Sequence, residues 1–174
     1  TCKSGQNGGS TIAFGSGASA GQVIAVNYDG GGANTGLTVA KLKEAYRIFL
    51  ANEVDLEMTQ LTCAITANDA LSLLNEAQYI SGDFGRPVLD DGKLKSFMGF
   101  NFVHFQRPEL DGSGYRRIPV YTKETIEFRA AEMLYTSVHQ LTNKRGEPWE
   151  AYLMSTFGAA RTDEKLLVEI KCTG

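Results

Sequence analysis

The stretch GLTVAKLKEAYRIFLANEVD, Gly36 to Asp55, is the clearest folded element in this chain. Thr38 has the side-chain oxygen of a good N-cap. After it Val39, Leu42, Ala45, Tyr46 and Phe49 recur at helical spacing. The pattern predicts a helix to about Asn52, on the order of 20 Å long at 1.5 Å per residue. Its apolar stripe must lie on a core, and Lys41, Lys43, Glu44 and Arg47 are expected on the wet side.

The composition changes on the N-terminal side of that helix. Ten of the 19 glycines fall in the first 36 residues. Such a segment reads as an arm or loop, with one strand expected at Gln22 to Asn27. Toward the C-terminus a strand is expected at Gln60 to Ile65. A second helix follows, opened by Thr66 with Asp69 three residues on, as in a capping box. Leu71, Leu74 and Ala77 would form its buried stripe.

The segments Phe100 to Phe105 and Arg116 to Tyr121, joined by the turn-rich ELDGSGY, are expected to pair as a hairpin. Further strands are expected at Ile126 to Ala130, Tyr135 to Leu141, Trp149 to Arg161 and Leu166 to Cys172. The order is arm, helix, strand, helix, hairpin and long strands, an α+β pattern.

The charge of −3 and a pI near 5.4 give no pull toward nucleic acid phosphates. No apolar run has the length of a membrane-spanning helix, and the opening residues lack the layout of a signal peptide. A place in the cytoplasm is therefore expected. The opening TCKSGQNGGS reads like the middle of a longer protein. Cys2, Cys63 and Cys172 form neither a CxxC pair nor a Cys/His cluster, so free thiols are expected, without zinc.

Catalytic motifs are missing. The chain has no GxSxG, HExxH or GxxxxGK[ST]. Gly30 to Gly32 precede a helix but lack the Lys-Ser/Thr that phosphate binding needs, so they read as a hinge. His104 and His139 stand on strands without neighbours at ligand spacing. Asp90 and Asp91 before Gly92 read as a turn. The aromatic run FMGFNFVHF is expected in a core, as a strand covered on both faces. No cofactor or metal is expected, nor enzymatic activity.

Four stretches resemble the C-terminal half of tailed-bacteriophage major capsid proteins, which have the HK-ninety-seven-like fold. They are GLTVAKLKEAYRIFLANEVD, ITANDALSLLNEAQYISGDF (Ile65 to Phe84), KLKSFMGFNFVHF (Lys93 to Phe105) and STFGAARTDEKLLVEIKC (Ser155 to Cys172). Each is soft alone; their order and spacing carry the resemblance.

The resemblance implies a division of the chain. Residues 1–35 would be the remnant of an extended loop or arm. Residues 36–59 and 122–162 would form a peripheral-type domain containing the spine helix. Residues 60–121 and 163–174 would form an axial-type domain, with the last strand at an edge of its sheet.

The same resemblance implies a function: a structural subunit of an icosahedral phage or prophage shell. It would self-assemble as hexamers and pentamers in the bacterial host cytoplasm. It would end in the virion, enclosing double-stranded DNA without sequence-specific contacts. Scaffold and portal proteins are further partners by this reading, and no membrane is involved.

Two other readings stay open. An encapsulin-type compartment has the same architecture around a protein cargo. A β-rich binding or hydrolytic domain would instead gather Glu124, Glu127 or His139 in a polar cleft. For subunit contacts the side chains chosen by type are Arg107, Arg116, Arg117 and Trp149, because Arg and Trp dominate hot spots.

Overall fold

The computed structural model of the chain describes residues 2–3, 11–12, 14–15, 21–29, 31–76, 89–90, 93–94, 96–146 and 148–173. The chain divides into two compact units. One comprises Thr1–Thr125 with Asp163–Gly174, and the other Ile126–Thr162.

The first unit contains the two short pairs β1 (Cys2–Lys3) with β2 (Thr11–Ile12) and, further on, β5 (Leu89–Asp90) with β6 (Lys93–Leu94). Its body is a five-stranded sheet with two helices, built from β3 (Val23–Ile24), α1 (Val39–Ala51), β4 (Leu61–Ile65), α2 (Ala67–Leu74), β7 (Phe100–His104), β8 (Arg116–Thr122) and, after the second unit, β11 (Leu167–Cys172). The strand order is β3-β11-β8-β4-β7. β3 runs parallel to β11 and β7 parallel to β4, while β8 is antiparallel to both its neighbours. The last strand therefore lies one place inside the sheet, with the two residues of β3 outside it.

Alternation within the strands separates two faces. Val168, Ile170 and Cys172 of β11, Ile118 and Val120 of β8, and Leu61, Cys63 and Ile65 of β4 are buried in one core with α1. The helix contributes Val39, Leu42, Ala45, Ile48 and Phe49. Its N-cap is Thr38, whose Oγ1 accepts from the Lys41 amide, and it stops at Asn52. Lys41 departs from expectation, since its side chain is fully buried. Its ammonium donates to three backbone carbonyls, Thr35, Gly36 and Lys171, at 2.9, 2.9 and 3.0 Å. An interior cation is tolerated because every donor is matched.

The capping box of α2 is present. Thr66 Oγ1 accepts from the Asp69 amide, and the Asp69 carboxylate accepts from the Thr66 amide. That exchange turns Asp69 inward, and Leu73 four residues on shares its face. Leu73 is fully buried, whereas Leu71 is 59% exposed and does not belong to the buried stripe. Ala77 lies outside the described residues.

The expected hairpin between Phe100 and Tyr121 does not form. β7 and β8 pair on opposite edges of β4, so β4 lies between them. Strand chemistry alone cannot distinguish an adjacent partner from an inserted one, and here the more apolar β4 takes the place between β8 and β7. The turn itself is tight. Asp111 Oδ1 accepts from the amides of Ser113 and Tyr115, at 2.9 and 3.0 Å. As the edge strand, β7 is not covered on both faces: Phe97 and Phe100 are buried, but Val103 and Phe105 are 47% and 49% exposed.

A 3-10 turn, Lys123–Thr125, closes the exit from β8. Thr125 Oγ1 donates to the Leu166 carbonyl at 2.8 Å and accepts from the Thr122 amide at 3.1 Å. Cys63 and Cys172 are free and buried; the side chain of Cys2 lies outside the described residues.

The second unit is one antiparallel ladder, β9 (Ile126–Gln140) against β10 (Trp149–Arg161). The two strands expected at Ile126 to Ala130 and Tyr135 to Leu141 are a single strand, bent by irregularities in register opposite Met154, Thr156 and Phe157. Bulges of this kind keep pairing going while changing the strand's direction and twist.

Candidate subunit interface

The ladder of the second unit has no interior. Residues directly opposite each other share a face. One face near the tip thus carries Tyr135, Ser137 and His139 with Met154, Tyr152 and Glu150. The other carries Thr136, Val138 and Gln140 with Leu153, Ala151 and Trp149. Large apolar side chains stand exposed on both faces: Leu153 is 68% exposed and Trp149 70% on one, and Tyr135 and Tyr152 are each 47% exposed on the other. Tyr135 and Tyr152 meet edge to face with centroids 6.3 Å apart, and Phe128 and Phe157 lie at 5.8 Å. These contacts order the aromatic side chains without removing them from water.

The four side chains chosen by type fall into different settings. Trp149 opens β10 opposite Gln140 and is exposed. Arg107 is exposed in the loop after β7. Arg116 is half-buried and donates to Thr66 Oγ1 at 2.9 Å, bracing the start of α2. Arg117 is engaged within the sheet. Its guanidinium lies 2.6 Å from Glu169 Oε2 on β11 and 3.4 Å from Glu109. The Glu169 carboxylate holds the guanidinium's pKa above its usual value. Next to it, Lys171 Nζ lies 2.9 Å from Asp111 Oδ2, which keeps the Asp111 carboxyl below the usual range. The polar sheet face is thus cross-linked within the subunit, whereas Trp149 and Arg107 present themselves outward.

Within the second unit the groups that a hydrolytic site would need, Glu127 and His139, are not gathered. Glu124 lines a shallow concavity of about 390 Å³ with Met58, Gln60 and Tyr121. Glu127 is paired with Arg129 at 2.6 Å near the base of the ladder. His139 lies near its tip, 3.3 Å from Glu150 and 3.5 Å from Ser137 Oγ. Each of these groups is exposed or half-exposed, and an open ladder excludes no water, which electrostatic catalysis requires. Among the described residues no cluster of three metal-ligating side chains exists, and no helix is long and apolar enough to cross a membrane.

Sequence reasoning missed the burial of several polar groups, Lys41, Asp69, Thr125 and Glu169 among them. Only Asp69 carried a signal, its position in the capping box.

The fold has recognisable relatives. A family model described as phage capsid protein matches residues 2–174. Among solved structures, the capsid of cyanophage P-SCSP1u superposes with a TM-score of 0.60 at 13% identity, over 81% of this chain and 54% of that one. The mature capsid of bacteriophage PhiM1 gives 0.59 at 15% identity, over 78% and 47%. The SrpI encapsulin of Synechococcus elongatus PCC 7942 gives 0.54 at 14% identity, over 88% and 53%. The chain spans about half the length of the solved chains it matches. No curated protein sequence matches it. With a family model covering nearly every residue and an architecture shared with capsid shells, the chain belongs to the phage capsid protein family.

Proposed function

We propose that the chain is part of a structural subunit of an icosahedral phage or prophage shell, working by contact with copies of itself. The observation that carries this reading is the bare β9–β10 ladder. An isolated two-stranded hairpin is at best marginally stable in water, and exposed apolar area of this kind marks an interaction surface. A shell subunit needs rims of this sort that copies of itself can cover. No enzymatic step or cofactor is assigned. The acidic balance of the chain fits a container that encloses DNA without gripping its phosphates.

In finer detail, α1 would act as the spine helix. Residues 36–59 and 122–162 would serve the peripheral-type role, 60–121 and 163–174 the axial-type role around the shell's symmetry axes, and 1–35 the extended arm. These are roles in assembly and need not coincide with cores: α1 packs on the same core as the five-stranded sheet. Trp149 and Arg107 are the first choices for inter-subunit anchors. Scaffold and portal proteins complete the list of partners, with assembly in the host cytoplasm and the virion as destination.

The test is electron microscopy of the full-length protein carrying this chain, expressed alone and with Trp149→Glu/Leu153→Asp. Closed shells or tubes from the native protein, lost in a variant that remains folded, are expected. A full-length protein that stays monomeric at high concentration would overturn the reading. The encapsulin-like cargo is the second reading, supported by the SrpI likeness. Purified shells that protect nucleic acid from nuclease favour the phage role, and shells that hold a protein favour the compartment.

A further inference from the structure

The outer edge of β11 is closed group by group, by three different means. A strand residue's N–H and C=O point to one edge, and successive residues alternate. β8 bonds one set, leaving Glu169, Lys171 and Thr173 facing outward. The Glu169 amide donates to the Gln22 carbonyl at 2.9 Å, where β3 runs alongside. The covering chain then turns away, with the Tyr28 amide bonded back to Ala25. The register of β3 ends at Ile24 opposite Ile170, so β3 offers Lys171 a carbonyl but no further amide. The Lys171 carbonyl instead accepts from Lys41 Nζ at 3.0 Å. One step further the Thr173 amide donates to Thr35, on the chain returning toward α1. The same ammonium also holds the Thr35 and Gly36 carbonyls, fixing that returning segment.

We propose that Lys41 is an edge guard: its ammonium occupies the place in the β11 ladder that a strand from a second copy would otherwise take. Open edges template strand pairing between chains, and charged groups set at an edge are a means of preventing it. β11 itself, LVEIKC, is rich in strand-forming residues and its inward face is wholly apolar. In a protein made to associate through other surfaces, an unguarded edge would compete with those contacts. The guard is a property of this sheet and holds whichever contacts the shell uses.

The test uses the unassembled full chain and three variants: Lys41→Met, which keeps the aliphatic stem and removes the donors; Lys43→Met, an exposed control on the same helix; and Ile24→Pro, which removes the amide that β3 gives to the ladder but leaves Lys41. Circular dichroism establishes folding. Light scattering and thioflavin T fluorescence report strand-paired oligomers, and hydrogen exchange reports the Thr173 amide. Lys41→Met is expected to form thioflavin-positive oligomers with at least about tenfold faster exchange at Thr173, and Lys43→Met to match the native chain. A folded Lys41→Met with native size distribution and native exchange overturns the proposal. Should Lys41→Met fail to fold, Ile24→Pro decides: it is expected to stay free of such oligomers, and forming them overturns the guard.

Discussion

Arg117 on β8 reaches diagonally across the sheet to Glu169 on β11, placing a guanidinium nitrogen 2.6 Å from a carboxylate oxygen on the face opposite the core. Glu169 is only 7% exposed, so little water can replace that partner. Arg117→Met should therefore cost about 2–4 kcal/mol, because it leaves a nearly buried carboxylate unpaired. Arg117→Met with Glu169→Gln should cost less than the two single changes summed. Urea denaturation of the four proteins checks this, and strict additivity would show that the pair contributes nothing specific.

The phase of α2 predicts unequal responses from two leucines two residues apart. Leu73→Ala should destabilise by about 2–5 kcal/mol, the usual result of emptying a packed site. Leu71→Ala should stay within about 0.5 kcal/mol. Thermal or chemical unfolding distinguishes this phase from the one expected from periodicity, in which Leu71 would be the costly position.

Gly36 is required by proximity. A Cβ added there would stand 2.7 Å from Ser72 Oγ and 3.2 Å from Ser72 Cβ. Gly36→Ala should lower stability by about 1–3 kcal/mol, as overpacking does. Ser72→Ala, which removes the nearer atom, should recover part of that loss. Equal stability of Gly36→Ala in both backgrounds would show that the helix shifts as a body instead.

Two buried thiols and one buried amine give the alkaline limb of stability a definite shape. Burial pushes the Cys172 thiol up to about 12, and Cys63 is raised still further, both from 9.0. Above about pH 9 the unfolded chain releases these protons while the folded chain keeps them, so stability falls as pH rises. Burial lowers the Lys41 pKa from 10.5. The folded chain then sheds that proton first, so stability rises with pH up to about 10.5. The opposing contributions partly cancel below pH 10.5, and the decline should steepen above it. Denaturation midpoints between pH 8 and 11.5 test this. Cys63→Ala should flatten the decline, and in the native chain a thiol reagent at pH 8 should leave Cys63 and Cys172 unmodified until unfolding.

Much of the local structure was legible in the sequence because it rests on interactions within a few residues. Thr38 caps α1 and the apolar repeat from Val39 to Phe49 faces the core. Thr66 and Asp69 open α2. The absence of catalytic motifs and the order of four stretches pointed to the shell family without any contact being known.

What required the tertiary structure was every choice between partners distant in sequence. β8 looks like the hairpin partner of β7, and only the competition among β4, β7 and β11 for the two edges of β8 decided otherwise. Lys41 reads as a surface cation until the carbonyls of Thr35, Gly36 and Lys171 converge on it, the last 130 residues away. Helical spacing assigns a face to a residue but cannot count the acceptors waiting there. Likewise Arg117 read as a free anchor, although Glu169 lies beside it, and nothing in the sequence indicated that β9 and β10 pair with each other into a ladder with large apolar side chains exposed. Short-range hydrogen bonding and periodicity are written in consecutive residues. Desolvation is decided by whatever the fold brings alongside, and so belongs to the whole chain.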